Sequence, residues 1–276
     1  MRRAFAGIST RALAVAILII PLFALLVYGT HGGQRVRILM GNMYEDISDA
    51  VVPDAERAFL YGEKHFNSRA EDYDIARAER FFVNAMMRDP DLPLVRHELA
   101  RVYFLKGDFP KALGFINAQV ALHGDEFPNA YYVRGLIEGY AGDYAAAAKD
   151  YEHFLRFDPH NWAAMNDYAW VLLKAHRSQD AALVASEGLT LFPDNPWLLN
   201  SQAIALYEMN AFSAALRSAQ KASAAVAVLS EAEWLRAYPG NDPGSAAEGI
   251  ASFKKAVADN MHTIETALAS SAVQSG

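Results

Sequence analysis

Gly135 to Pro159 reads GLIEGYAGDYAAAAKDYEHFLRFDP. Gly142-Asp143 breaks it in the middle and Asp158-Pro159 ends it, because glycine and proline punctuate helices. Gly135 stands before the break; Ala147, Tyr151 and Phe154 follow it at helical spacing. The stretch is therefore two helices joined by a tight turn, the second closed by a proline that cannot continue it.

The same arrangement recurs along the chain. Ala78, Ala112, Ala147, Ala181 and Ala215 are separated by 34, 35, 34 and 34 residues. Four residues after each stand Phe82, Ile116, Tyr151, Ala185 and Ala219; seven after stand Ala85, Gln119, Phe154, Gly188 and Ala222. Pro90, Pro159 and Pro193 follow at twelve. Twelve before come Ala100, Gly135, Ala169 and Ala203. In the first unit Gly62 stands four residues too early, and Ser68 to Glu71 reads as an inserted turn. Gly107-Asp108, Gly142-Asp143 and Asn210-Ala211 mark turns within units. One helix pair cannot bury its apolar face alone, so such units stack. Most aromatics in the pattern are then core.

This layout resembles the tetratricopeptide repeat (TPR) family, with its 34-residue unit, small residue on the first helix, Ala-x3-aromatic on the second and closing proline. The resemblance covers Pro53 to Asn260. It implies an all-α fold: a right-handed α-solenoid of antiparallel helix pairs, TPR-like, whose first helices line the concave face. The second unit departs from it, with Gly124 in place of proline and Pro128 further on. A sixth unit is degenerate: Gly249, Phe253 and Ala256 keep the offsets, and Tyr238-Pro-Gly-Asn-Asp-Pro-Gly244 makes its inter-helix turn.

Aligning the four best units puts His97, Tyr132, Asn166 and Asn200 at one inward position. Arg101, Leu136, Trp170 and Ile204 follow one turn on. Phe104 and Tyr207 share a further row, and Trp197 and Lys174 are near neighbours. These twelve form the candidate peptide-binding groove. Asn166 and Asn200 recur one repeat apart, and each amide offers donors and an acceptor to a peptide main chain. The competing reading has Trp170 packed under the next unit and both asparagines facing solvent or capping a backbone group. Some relatives in such a family clamp a C-terminal carboxylate with Lys, Arg and Asn; Arg101 and Lys174 lack the remaining partners here.

Outside the repeats, residues 12–29 carry no charge over 18 positions. At about 1.5 Å per helical residue they span roughly the hydrocarbon thickness of a bilayer. Arg2, Arg3 and Arg11 precede them and keep the N-terminus cytoplasmic. The expected organisation is a cytoplasmic N-terminus (1–11), a transmembrane signal-anchor helix (12–29), a spacer (30–53), a solenoid (54–262) of five clear repeats plus one degenerate, and a C-terminal tail (263–276). Asn260 onward continues as a capping helix, with 270–276 disordered. A cleaved signal peptide is the rival for the first thirty residues. Both readings place the solenoid outside the cytoplasm, which in a bacterial cell means the periplasm or the cell surface.

The 276 residues carry a net charge of −7. From Val36 on there are 21 basic and 32 acidic residues, a balance of −11. So acidic a face is a poor match for nucleic acid. The chain has no cysteine, which excludes disulfides, thiolate metal sites and a cysteine nucleophile. None of the eight histidines forms HExxH, and no Gly-rich phosphate loop or Gly-x-Ser-x-Gly appears. No cofactor and no catalysis are expected. The expected role is a membrane-anchored scaffold holding a protein partner along its concave face. A self-assembling solenoid (a homo-oligomer) and a subunit capturing a polymer for a membrane enzyme are the alternatives.

Overall fold

The structure, a computed structural model, describes residues 31–238 and 240–274. The expected cytoplasmic and transmembrane segments, 1–11 and 12–29, lie outside the described residues. Among the described residues no helix is long and apolar enough to cross a membrane, and there is no strand.

Helix α1 is His31–Val51. Five helix pairs follow: α2 (Ala55–His65) with α3 (Ile75–Arg88), α4 (Val95–Leu105) with α5 (Phe109–His123), α6 (Asn129–Ala141) with α7 (Tyr144–Phe154), α8 (Trp162–Lys174) with α9 (Ser178–Leu191), and α10 (Pro196–Glu208) with α11 (Phe212–Ala227). Then come α12 (Glu231–Ala237), a 3-10 turn at Pro243–Ser245, and α13 (Ala246–Gln274).

The repeat register agrees with the sequence. Ala78, Ala112, Ala147, Ala181 and Ala215 are all buried, as are Phe82, Ile116, Tyr151 and Ala185 four residues on. A Cβ added to Gly135 would lie 3.2 Å from the Ala147 carbonyl oxygen and 3.3 Å from the Tyr151 ring. Only a small residue lets α6 and α7 meet so closely, since interiors have no slack at that scale. Gly62 serves unit one in the same way: its Cβ would sit 2.5 Å from the Phe82 ring. The long loop between α2 and α3 absorbs the four-residue offset.

The turns inside units two to five share one construction. Gly107, Gly142, His176 and Asn210 all have left-handed backbone, with φ of 73°, 93°, 58° and 61°. The next N–H reaches back five residues, Asp108 to Tyr103 and Asp143 to Glu138, both at 2.9 Å; this satisfies the orphan carbonyls of a helix end. Asp108 and Asp143 then cap the following helices by accepting from Lys111 and Ala146 backbone N–H,. His176-Arg177 is a turn without turn-forming residues, imposed by the stacking of its neighbours.

Two segments differ from expectation. Residues 30–53, read as a spacer, are mostly α1, clamped to unit one by an acidic face. Glu45 lies 2.6 Å from Lys64 Nζ and 2.7 Å from His65 Nε2. Asp46 pairs with Arg77 at 2.8 Å, and Asp49 accepts from Asn84 at 2.7 Å and pairs with Arg88. The ion pairs turn the apolar stripe Leu39, Met43, Ile47 and Val51 outward, where it stays exposed.

The sixth unit is the second difference: its two helices flank the expected turn and touch through Trp234 and Gly249, but the first is a short stub. Helix α12 has seven residues and buries none of them. Helix α13 packs on α11 and touches α10, the place a next unit's first helix would take. Phe253, Val257, Met261 and Ile264, at helical spacing, close the core there. The helix runs unbroken to Gln274, past the tail expected from 263. Ile264, 1% exposed, seats this stretch on Ala203, Ala215 and Ala219. Residues 275–276 lie outside the described residues.

Candidate functional site

Consecutive first helices touch one another, α4 with α6, α6 with α8 and α8 with α10, while no two second helices come as close. The first helices therefore form the tighter inner wall, and their inward side chains line the concave face.

The expected groove residues do not share one environment. His97 is not in the groove: it is 3% exposed and burial holds its pKa down near 3, with Arg101 adding to the effect. Phe104, Leu136, Ile204 and Tyr207 are half-buried packing residues; Phe104 meets Phe109 and Tyr140, and Tyr207 meets Phe212. Trp170 packs on Tyr140 and Tyr144. Asn166 donates to Asp167 at 3.2 Å and accepts from Ser201 Oγ at 2.9 Å, while Asn200 accepts from Asn260 at 3.0 Å. The two asparagines thus hold neighbouring side chains in place. Lys174 is exposed at the end of α8. Tyr132 gives its hydroxyl to Asp167; Arg101 and Trp197 remain, and they converge on one object.

That object is the chain's own segment 231–245. A capping box at Ser230 and Glu233 starts α12,. Trp234 and Tyr238 then pack on Trp197, with ring centres 6.4 and 6.2 Å away. Trp197 Nε1 donates to the Tyr238 hydroxyl at 2.9 Å. The segment ends against unit one, where the Tyr73 hydroxyl donates to the Gly240 carbonyl at 2.6 Å. A Cβ on Gly240 would sit 3.1 Å from Arg101 Nη2 and 3.3 Å from the Phe66 ring, and its φ is +93°. The left-handed backbone favours glycine there, and the fit against Arg101 and Phe66 leaves little room for a side chain,. Arg101 is held by Glu98 at 2.6 Å and lies 4.8 Å over the Phe66 ring.

Between these ends lies Asp167, which accepts from the Tyr132 hydroxyl at 2.9 Å. Burial pushes its carboxyl up to about 6, against the pull of its hydrogen bonds from Tyr132 and Asn166. Burial and the nearby Asp167 charge raise the Tyr238 phenol. Tyr73 is raised by burial and then by Asp242. The segment thus runs over the inner wall from unit five to unit one.

Phe66, Tyr73, Asp167, Trp234, Tyr238 and Gly240 were missed as site residues. The one sequence signal was the pair of irregularities, the inserted turn after Gly62 and the long Pro/Gly turn at 238–244. These two meet in space. Among the described residues no group of three or more His, Asp and Glu is placed to hold a metal ion.

No protein-family profile matches the sequence, and no curated protein does. Solved structures do match. MamA superposes with a TM-score of 0.55 at 16% identity, covering 62% of this chain and 91% of that one. YrrB, described as a TPR protein with an unusual peptide-binding site, superposes with a TM-score of 0.54 at 13% identity, covering 66% of this chain and 91% of that one.

The chain has the tetratricopeptide-repeat fold.

At such identities the likeness is one of fold. In this solenoid the ends of the groove are bridged by residues 231–245.

Proposed function

We propose that the chain is a non-catalytic scaffold that holds an extended segment of a partner protein in its concave groove. Tethering by residues 12–29, with the solenoid outside the cytoplasm, is part of the proposal. The observation that carries it is the grip of Arg101, Tyr73 and Trp197 on the backbone and aromatic side chains of residues 234–240. A wall that binds polypeptide in this way has the donors and apolar faces that another polypeptide needs. The peptide-binding description of YrrB supports the same reading. Anchoring would raise the partner's concentration at the membrane.

The test is a pull-down with the full chain in detergent, identified by mass spectrometry and repeated with Trp197→Ala. A partner lost in the variant supports the groove; equal capture by both chains moves binding to another face. A reporter fused after Gly276 is expected to be active only outside the cytoplasm, and cytoplasmic activity would overturn the proposed topology.

Self-assembly is a second reading, favoured by the outward stripe of α1. An antiparallel second copy would set the exposed Arg35 at one end of the stripe against Asp54 and Glu56 at the other. Light scattering on Ile47→Lys against the parent chain separates a dimer from a monomer.

A further inference from the structure

We propose that residues 231–245 are an internal ligand that closes the groove, and that a partner segment of matching chemistry enters by displacing them. The matching chemistry is an aromatic residue followed by a Pro-Gly turn, as in Tyr238-Pro-Gly240. The proposal rests on the concave face being the binding surface.

Three observations support it. First, the segment is not needed to complete the fold. Helix α13 already caps the solenoid on α11, whereas α12 and residues 243–245 bury no residue. Second, besides its contacts with α13 through Trp234, the segment reaches the inner wall and the loop of unit one at Trp197, Arg101, Phe66 and Tyr73. Third, two glycines, one within the segment and one on α13, fit it to its seat. Gly240 admits the backbone against Arg101 and Phe66, and Gly249 on α13 leaves room for the Trp234 indole, which a Cβ there would strike.

A segment held by aromatic contacts and by hydrogen bonds such as Tyr73 to Gly240 and Trp197 to Tyr238 belongs to the low-stability end of a structure,. It still wins against free peptide because it is tethered: a short link gives an effective concentration of order millimolar. Closure then weakens the apparent affinity of an outside segment by the fraction of open molecules.

The experiment uses a fluorescently labelled synthetic peptide of residues 231–245 and the full chain in detergent. Trp234→Ala removes the indole from the tethered segment and Gly240→Val blocks the seat of the turn, and both changes leave the groove wall and α13 intact, so the added peptide keeps its full site. We expect each variant to bind the peptide about 10- to 100-fold more tightly than the parent chain. Hydrogen exchange should rise at 231–245 and stay slow in α4 to α11. Should either variant lose helix content, the parent chain serves instead: excess unlabelled peptide should accelerate exchange at 231–245. Parent and variants binding with equal affinity, or opened variants that bind no peptide, would overturn the proposal. So would exchange at 231–245 that is already unprotected in the parent, or that excess peptide leaves unchanged. Capture of a partner equally by parent and opened chains would also sink it, while leaving the scaffold reading intact. Peptide binding by the opened chains with no partner captured by any of them would do the reverse.

Discussion

The Tyr73 hydroxyl donates to the Gly240 carbonyl at 2.6 Å across 167 positions of sequence. This single bond joins the loop of the first helix pair to the segment that follows the fifth. Tyr73→Phe removes the donor and leaves the ring. An expected loss of about 0.5–1.5 kcal/mol should appear locally, as faster exchange of the amides from Tyr238 to Ser245. The global thermal midpoint should barely move, because the segment buries little. An equal loss of protection in α8 or α10 would show that the segment unfolds only with the solenoid.

The repeat register is tested at two neighbouring alanines. Ala147 is fully buried and its carbonyl lies under Gly135, whereas Ala146 is partly exposed. Ala147→Leu should cost about 1–3 kcal/mol by overpacking. Ala146→Leu should be close to neutral, and urea titration of both variants decides the point.

His176 holds a left-handed backbone with φ 58° and an exposed side chain. A non-glycine residue costs about 1–2 kcal/mol there, against about 0.5–1 kcal/mol of extra chain entropy for glycine. His176→Gly should therefore raise stability by a few tenths to about 1 kcal/mol. His176→Val should lower it, since a β-branched residue resists this conformation. Thermal melts of the two variants should move in opposite directions.

Burial raises Asp167 to about 6 and Glu98 and Glu138 to about 7. Such groups bind a proton more tightly in the folded state than in the unfolded one. Their contribution is full below the unfolded value, near 4, and is lost as pH rises through the folded value. Stability from these groups should fall between about pH 4 and pH 7. Asp167→Asn should flatten the lower half of that fall. Urea midpoints at pH 4.5, 6 and 7.5 test this; an unchanged slope in the variant would place the titration elsewhere.

The helix pairs were legible because their cause is local and repeated. Small residues at Gly135 and Ala147, a left-handed glycine at Gly142 and a stop at Pro159 act within one unit, and the same demand returns every 34 residues. Helix α1 showed helical spacing at Ile38, Leu39, Met43, Ile47 and Val51, but its packing was not legible in this way. Its partners Lys64, Arg77 and Arg88 are 19 to 39 positions away, and an acidic stripe on a helix ordinarily faces water. Only the facing arginines decide which side of α1 turns in.

The groove divides along the same line. Sequence periodicity alone placed Arg101, Tyr132, Asn166, Trp170 and Trp197 on first helices, since one helical face recurs with the repeat. It could not say that Asn166 is taken up by Asp167 and Ser201, or Asn200 by Asn260, because those contacts cross between helices. Nor could it tell that the Pro/Gly-rich stretch at 238–244 leaves the helix stack. Glycine and proline there announce a turn, but a turn has no direction of its own. Its path over the concave face is set by Trp197 at one end and by Tyr73, Phe66 and Arg101 at the other. The stacking of five helix pairs first has to bring those residues to opposite ends of one groove.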